Sequence, residues 1–499
     1  MKRVLIFFLA AFIIAGCWSR ESVRQSTGMV AATPIEQLRY NLAQRFDDSS
    51  FSNAHWGVLI TSLKSGEVIY ARNEKKMFMP ASNMKLFTTS SALTLLSPDY
   101  RYYTELVTDG NIKDSVLIGD VILIGSGDPT ISGRYNEGKV TETFEQWADS
   151  LKLLGIKKIK GSLIGDDNCF DDQFYGAGWS ADYETDYYAA QTSGVSFNDN
   201  CVDFRVVPSA RIADVCSLSY VPDTKYITVI NQTVTAPASD SVNDIKYLRK
   251  RGTNLIYVKG KLSQGKLPQT ESVAVDNPTL YTMSVLKEVF ESKGITVVGI
   301  PLDVDDLKDS LNYSQTKHLA SFTSVPYSTI MKTIHKPSQN FYAEQVFRTI
   351  GKEKLGIGSV DSARVVVKPI LAEWGVDTAS IRIADGSGLS RVNLVTPSDI
   401  VSVLNAMYKG KYFLTFYESL PVAGVDGTLK ERMRGTKAEG NVHAKTGFVN
   451  YVRSLSGYVT SVDGEMFSVS MIANHYTVPT KLAEKIQDEV CVMLAEFKR

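Results

Sequence analysis

At 499 residues, with 44% hydrophobic content and ordinary glycine and proline counts, the chain carries enough apolar material for two or more domains with proper cores, which excludes a disordered or fibrous protein. Lys plus Arg and Asp plus Glu balance at 54 each, so no charge excess points to DNA, RNA or another polyanionic partner.

In chain order, Lys2 and Arg3 precede an apolar run from Val4 to Ile14, the charged and apolar regions of an export signal. The run is too short for a permanent bilayer span, which needs roughly 20 residues. Ile14-Ala15-Gly16-Cys17 follows and resembles the bacterial lipobox, with Cys17 as the lipidated residue; a plain secretory signal with a chance cysteine is the alternative. Residues 1–17 thus read as a lipoprotein signal, and the polar, aperiodic residues 18–33 as a tether. The expected location is the periplasmic side of the cell envelope, lipid-anchored to a membrane.

From His55 to Ala71 two β-rich runs flank a Gly-containing turn, which predicts a hairpin. The segment Ser82 to Leu96 places apolar residues at helical intervals and predicts a core helix with Ser82 at its mouth. Between about Tyr100 and Asn277 the texture changes to short runs such as Ser115–Ile118 and Val121–Ile124 broken by Gly, Asp and Ser, a β-rich insertion. Helical patterning returns at Leu280–Lys293 and Ser338–Ile350, and Val449–Thr460 with Glu465–Asn474 reads as an antiparallel pair before a C-terminal helix. The expected organisation is a catalytic body split into 34–99 and 278–499 around an insertion at 100–277.

Cys169, Cys201, Cys216 and Cys491 allow three pairings in an oxidising compartment; Cys201 and Cys216 are nearest in sequence, and Cys491 sits at helical spacing as a packing residue. No Cys and His cluster has zinc-ligand spacing and no HExxH is present, so no metal is expected.

Serine is a weak nucleophile unless a nearby base takes its proton. In Ser82-Asn83-Met84-Lys85 the spacing of three brings the amine within one helical turn of the hydroxyl, and the position at a helix start leaves the Ser82 N–H free for an oxyanion. A lysine that burial and neighbouring cations deprive of its charge serves as the base. Alone this pattern is common, with an N-cap serine and a solvated lysine as its bland reading. Two companions give it weight: Ser338-Gln339-Asn340 at the start of a helix, and Lys445-Thr446-Gly447 just before a strand. The three in this order match the signature of penicillin-binding proteins and serine β-lactamases.

The chain resembles the low-molecular-mass class C penicillin-binding proteins, the D-alanyl-D-alanine carboxypeptidase and endopeptidase family. Further segments carry the resemblance: Asp385-Gly386-Ser387-Gly388-Leu389-Ser390-Arg391, Leu420 to Leu429, Ser126-Gly127-Asp128-Pro129 and Gly176-Ala177-Gly178-Trp179. It implies an α/β (α+β) transpeptidase-like domain, an antiparallel sheet flanked by helices, with the β-rich insertion over the cleft. It implies peptidoglycan stem peptides ending in D-Ala-D-Ala as substrate, β-lactams as covalent inhibitors and no cofactor. By position, Ser82 would attack the carbonyl, Lys85 would take its proton, and Ser338 with Lys445 would relay a proton to the leaving amine. Asn340 would hold the substrate amide and Lys85. Lys445 and Thr446 would bind the terminal carboxylate beside Gly447, and the N–H groups of Ser82 and Phe448 would form the oxyanion hole.

Phe448 departs from the family, which commonly has Thr or Ser there. The backbone N–H survives, but a hydroxyl for the substrate carboxylate is lost. Gln339 replaces a frequent Asp, a change expected to matter less. Arg391 is a candidate for gripping a second substrate carboxylate, against a surface salt bridge. Asp166 and Phe170 match a family stretch at the contact of insertion and cleft, against a turn aspartate and a core aromatic. His335 and His443 offer a rival triad, but no G-x-S-x-G elbow carries the serine. A β-lactamase-like hydrolase and a catalytically silent peptidoglycan-binding lipoprotein are the alternative functions; the large insertion and the three intact motifs speak against them.

Overall fold

The computed structural model describes residues 33–499. The export signal, Cys17 and nearly all of the tether lie outside the described residues. At the start, Thr33 caps the Pro34–Phe46 helix in a reciprocal box with Glu36, and Pro34 at the first helical position needs no hydrogen-bond partner.

The two ends of the chain build one antiparallel sheet of five strands, in the order 443–449, 452–460, 466–474, 55–62, 68–72. Its period-two pattern explains how it is covered on both sides. Leu455, Met471 and Val58 lie in one row across three strands, and with Phe467, Val469 and Ala473 they pack under the Pro34–Phe46 and Thr480–Glu496 helices. Each fully buried apolar side chain of this kind contributes about 1.5–3 kcal/mol.

On the other face several central positions are small and polar. Ser454 donates to the Pro80 carbonyl at 2.7 Å and Ser456 to Asn83 Oδ1 at 2.7 Å. Serines there let the Ala81–Asn83 turn and the Met84–Leu96 helix lie directly on the sheet. Around that helix the second core gathers Leu86, Phe87 and Leu93 with residues of the 327–335, 340–355 and 397–409 helices. This is the transpeptidase-like fold expected from the motifs, with helices on both faces of the sheet.

The middle of the chain forms four further sheets. Strands 301–303, 163–166, 121–124, 103–108 and 317–323 make one of five strands; a four-stranded sheet and two three-stranded ones account for the rest. The boundary expected at residue 278 needs correction. The Pro278–Ser292 helix buries Tyr281, Leu286 and Phe290 in the core of the inserted segment, 301–303 pairs with 163–166, and 317–323 pairs with 103–108. Helical periodicity returned in the sequence, but its apolar face belongs to the insertion, which therefore runs to about residue 323.

All four described cysteines are free, with Cys201, Cys216 and Cys491 buried. Cys491 packs under the sheet in the terminal helix, as its spacing suggested. No helix among the described residues is long and apolar enough to cross a membrane.

Candidate active site

Ser82 occupies a short 3-10 turn, Ala81–Asn83, that runs into the Met84–Leu96 helix. Ala81 has a left-handed φ of 47°, which kinks the chain so that Ser82 faces a cleft of about 530 Å³. Two glycines make this approach possible. A side chain on Gly388 would strike the Ala81 carbonyl at 1.9 Å, and one on Gly447 would meet the Pro80 carbonyl and the Ser82 nitrogen at 2.9 and 3.0 Å. The third motif therefore lies against Ser82 through its glycine.

Lys85, one turn on, is fully buried. Its Nζ donates to Ser82 Oγ at 3.0 Å, Asn340 Oδ1 at 2.6 Å and the Ser387 carbonyl at 2.8 Å. Burial pulls its amine down to about 7, and the nearby carboxylates of Asp385 and Glu344 keep it from falling further. Near neutral pH the amine is thus divided between charged and free-base forms, the condition a general base requires.

Lys445 is buried as well and donates to Ser338 Oγ at 2.7 Å and the Thr446 carbonyl at 2.8 Å. Burial, then the charge of Lys85, hold it well below the usual lysine range. Asn83 ties the first and third motifs together by donating to the Lys445 carbonyl at 2.7 Å. Thr446 Oγ1 donates to Thr428 Oγ1 at 2.7 Å, which brings the 420–429 stretch into the cleft wall. That stretch is clamped by Lys336, whose Nζ reaches Asp426 at 2.7 Å and the Leu420 carbonyl at 2.6 Å.

One supporting residue, Glu344, carried no sequence signal of its own, whereas Asp385 and Trp179 lie in segments that carry the family resemblance. Glu344, on the helix that Asn340 starts, accepts the Ser387 and Gly386 N–H groups at 2.7 and 3.0 Å and so aims the Ser387 carbonyl at Lys85. Burial, reinforced by Asp385, raises its carboxyl to about 7. Asp385 closes the Gly386–Ser390 loop by accepting from the Gly388 and Ser390 nitrogens and from Trp179 Nε1 of the inserted segment at 2.9 Å.

The second motif leans on the insertion. Asn340 donates to the Tyr188 carbonyl at 2.8 Å. Gln339, whose substitution was expected to matter little, is buried with its amide on Asp199 Oδ2 at 3.2 Å; Tyr342 donates to Asp199 Oδ1 at 3.0 Å and Arg134 pairs with Oδ2 at 2.7 Å. Asp199 sits in the middle of three consecutive left-handed residues, Asn198, Asp199 and Asn200, with φ of 46°, 55° and 54°. Such backbone persists only where surroundings over-determine it. Ser338 is left-handed too, at 64°.

Ser82, Ser338, Asn340, Thr446 and Phe448 all line the cleft, with Lys85 and Lys445 just beneath. Tyr183, Tyr187 and Tyr188 of the inserted segment add an aromatic wall that the sequence reading missed. Phe448 stands half exposed at the mouth. Arg391 reaches the rim, where Nη1 donates to the Asn450 carbonyl at 2.9 Å, and it pairs with no carboxylate among the described residues.

Asp166 and Phe170 do not reach the cleft. Asp166 ends a buried strand and accepts from Tyr313 at 2.6 Å, while Phe170 fills the space left by Gly127 and Gly358. Neither histidine approaches Ser82. His335 is locked between Thr89 and Ser419 at 2.9 and 2.7 Å, and His443 stacks on Tyr417 with ring centroids 3.8 Å apart.

A model of the D-Ala-D-Ala carboxypeptidase 3 (S13) family matches residues 38–497. The chain is 34% identical to the D-alanyl-D-alanine carboxypeptidase of Actinomadura sp. (strain R39), over 93% of this chain and 85% of that one. It is 28% identical to the D-alanyl-D-alanine carboxypeptidase DacB of Haemophilus influenzae, over 87% and 89%. The crystal structure of penicillin binding protein 4 from Haemophilus influenzae superposes with a TM-score of 0.79 at 25% identity, covering 92% of this chain and 99% of that one. With a serine hydrogen-bonded to a buried lysine at the head of a buried helix and a family match spanning nearly all described residues, the chain belongs to the D-Ala-D-Ala carboxypeptidase 3 (S13) family of serine-type D-alanyl-D-alanine carboxypeptidases.

Proposed function

We propose that the chain cleaves D-alanine-terminated stem peptides of peptidoglycan, at a free end or at a cross-link, through an acyl-enzyme on Ser82. The observation that carries this reading is the 3.0 Å contact between Ser82 Oγ and a buried Lys85 whose amine is brought to about 7. The free-base form of Lys85 takes the Ser82 proton as Oγ adds to the carbonyl, and the oxyanion is received by the N–H groups of Ser82 and Phe448. Ser338 and Lys445, 2.7 Å apart, pass a proton to the departing D-alanine amine. Water then enters, attacks the ester and releases Ser82. No redox or group-transfer partner is required by this balance.

Asn340 orients Lys85 and binds the substrate amide; Thr446 and Thr428 face the terminal carboxylate together with the Lys445 charge. Arg391 at the rim meets a second carboxylate of the wall peptide. The same acyl-enzyme explains covalent capture of β-lactams, and a crystal structure of the Haemophilus influenzae penicillin binding protein 4 is a complex with one. Export and lipid anchoring at Cys17 would hold the protein at the periplasmic side of the envelope, where its polymeric substrate lies.

Mass spectrometry of the purified protein with D-alanine-terminated and cross-linked wall peptides, beside Ser82→Ala, tests the reading. Release of D-alanine or splitting of the cross-link that disappears in the variant supports it and says which reaction dominates. No turnover of either substrate and no covalent β-lactam adduct on Ser82 would leave a binding role as the better account.

A further inference from the structure

Far from the cleft, the inserted segment gathers carboxylates that nothing neutralises. One oxygen each of Asp167, Asp303 and Asp305 lies within 4.8 Å of the other two. Asp167 and Asp303 are only 5% and 8% exposed, and no lysine or arginine among the described residues pairs with these three or with neighbouring Asp166, Asp172 and Asp306. Asp167 Oδ2 is satisfied by the hydroxyls of Thr279 at 2.5 Å and Ser193 at 3.1 Å, but its Oδ1 is buried with no donor at all. A buried carboxylate oxygen without a donor, beside a second buried carboxylate, is a costly arrangement that calls for a positive partner.

We propose that Asp167, Asp303 and Asp305 hold a divalent cation, calcium by preference. Hard anionic oxygens select calcium or magnesium over the softer metals. Calcium fits better because it accepts ligands from an irregular turn, whereas magnesium demands near-ideal octahedral geometry.

The site would join the ends of two neighbouring parallel strands, 163–166 and 301–303. Asp167 also reaches the cleft side indirectly, since Ser193, which donates to it, offers its carbonyl to Gln345 on the Asn340 helix at 2.9 Å. The cation is therefore a clamp on the insertion's seat, remote from the reacting atoms.

Terbium luminescence tests this on the full chain after chelator treatment, because Tyr313, bonded to Asp166 at 2.6 Å, is an adjacent sensitiser. The expected result is saturable emission that calcium displaces at ~1 mM or below, with affinity lowered about tenfold or more in the exposed Asp305→Asn variant. Calcium should raise the thermal midpoint of the native chain but not of Asp303→Asn, whose calcium-free form should be at least as stable as the native because one buried charge is gone. D-alanine release should be unaltered in both variants. Emission that never saturates, saturable emission unchanged in both variants, or a native midpoint indifferent to calcium would overturn the proposal.

Discussion

The floor and the roof of the cleft are held by different means. Ser82, Lys85 and Lys445 stand on a helix and a central sheet, and serines and glycines of that sheet fix their separation. The Ser338–Asn340 loop stands on contacts from the inserted segment: the Tyr188 carbonyl and the Asp199 carboxylate. Chemistry on the floor is therefore built from regular secondary structure, whereas the positioning of the second motif depends on a separate part of the chain.

Breaking the floor should have the largest effect. Ser82→Ala or Lys85→Met should lower D-alanine release by ~10⁴-fold or more and abolish β-lactam adducts detected by intact mass, because nucleophile and base act as one unit. Acidification attacks the same place without mutation. Since the free amine is the reactive form and Lys85 sits at about 7, the acylation rate should fall nearly tenfold for each pH unit below that point, a slope that stopped-flow trapping with a chromogenic β-lactam reads directly.

The roof should give way more gently. Asp199→Asn keeps the shape but removes the charge that receives Arg134, Gln339 and Tyr342, and should slow acylation by about tenfold through kcat with KM little changed. An unaltered kcat would mean that the insertion does not position the second motif. At the mouth, Phe448→Thr should speed acylation by carboxylate-bearing β-lactams several-fold, up to about tenfold, by supplying a charge-assisted hydrogen bond. The smallest effect belongs to Arg391→Ala, which should raise KM a few-fold (~3) for peptides with a second carboxylate and leave those without it unaffected.

Much of the floor was legible because its signals are local. The hairpin, the helix behind Ser82 and the last two strands follow from periodicity, and Ser82 with Lys85 from a spacing that one helical turn converts into contact. The roof was not. Asp166 and Phe170 matched a family stretch yet stand away from the cleft, Asp166 on Tyr313 and Phe170 packed between Gly127 and Gly358, and Gln339, whose side chain need not face the pocket, is buried on Asp199 instead. The Pro278–Ser292 helix shows the same limit: its pattern announced a helix but not which core would receive its apolar face.

Residue type and short spacing by themselves determined the reaction class, because a serine, its lysine base and the two companion motifs carry their chemistry wherever the chain places them. The tertiary structure decided the state of that chemistry. Lys85 is brought to about 7 only by burial among segments from 82 to 390, and Asp199 becomes a support for Gln339 only when segments far apart in sequence close around it. Desolvation and partner choice are properties of the packed chain, and no local pattern encodes them.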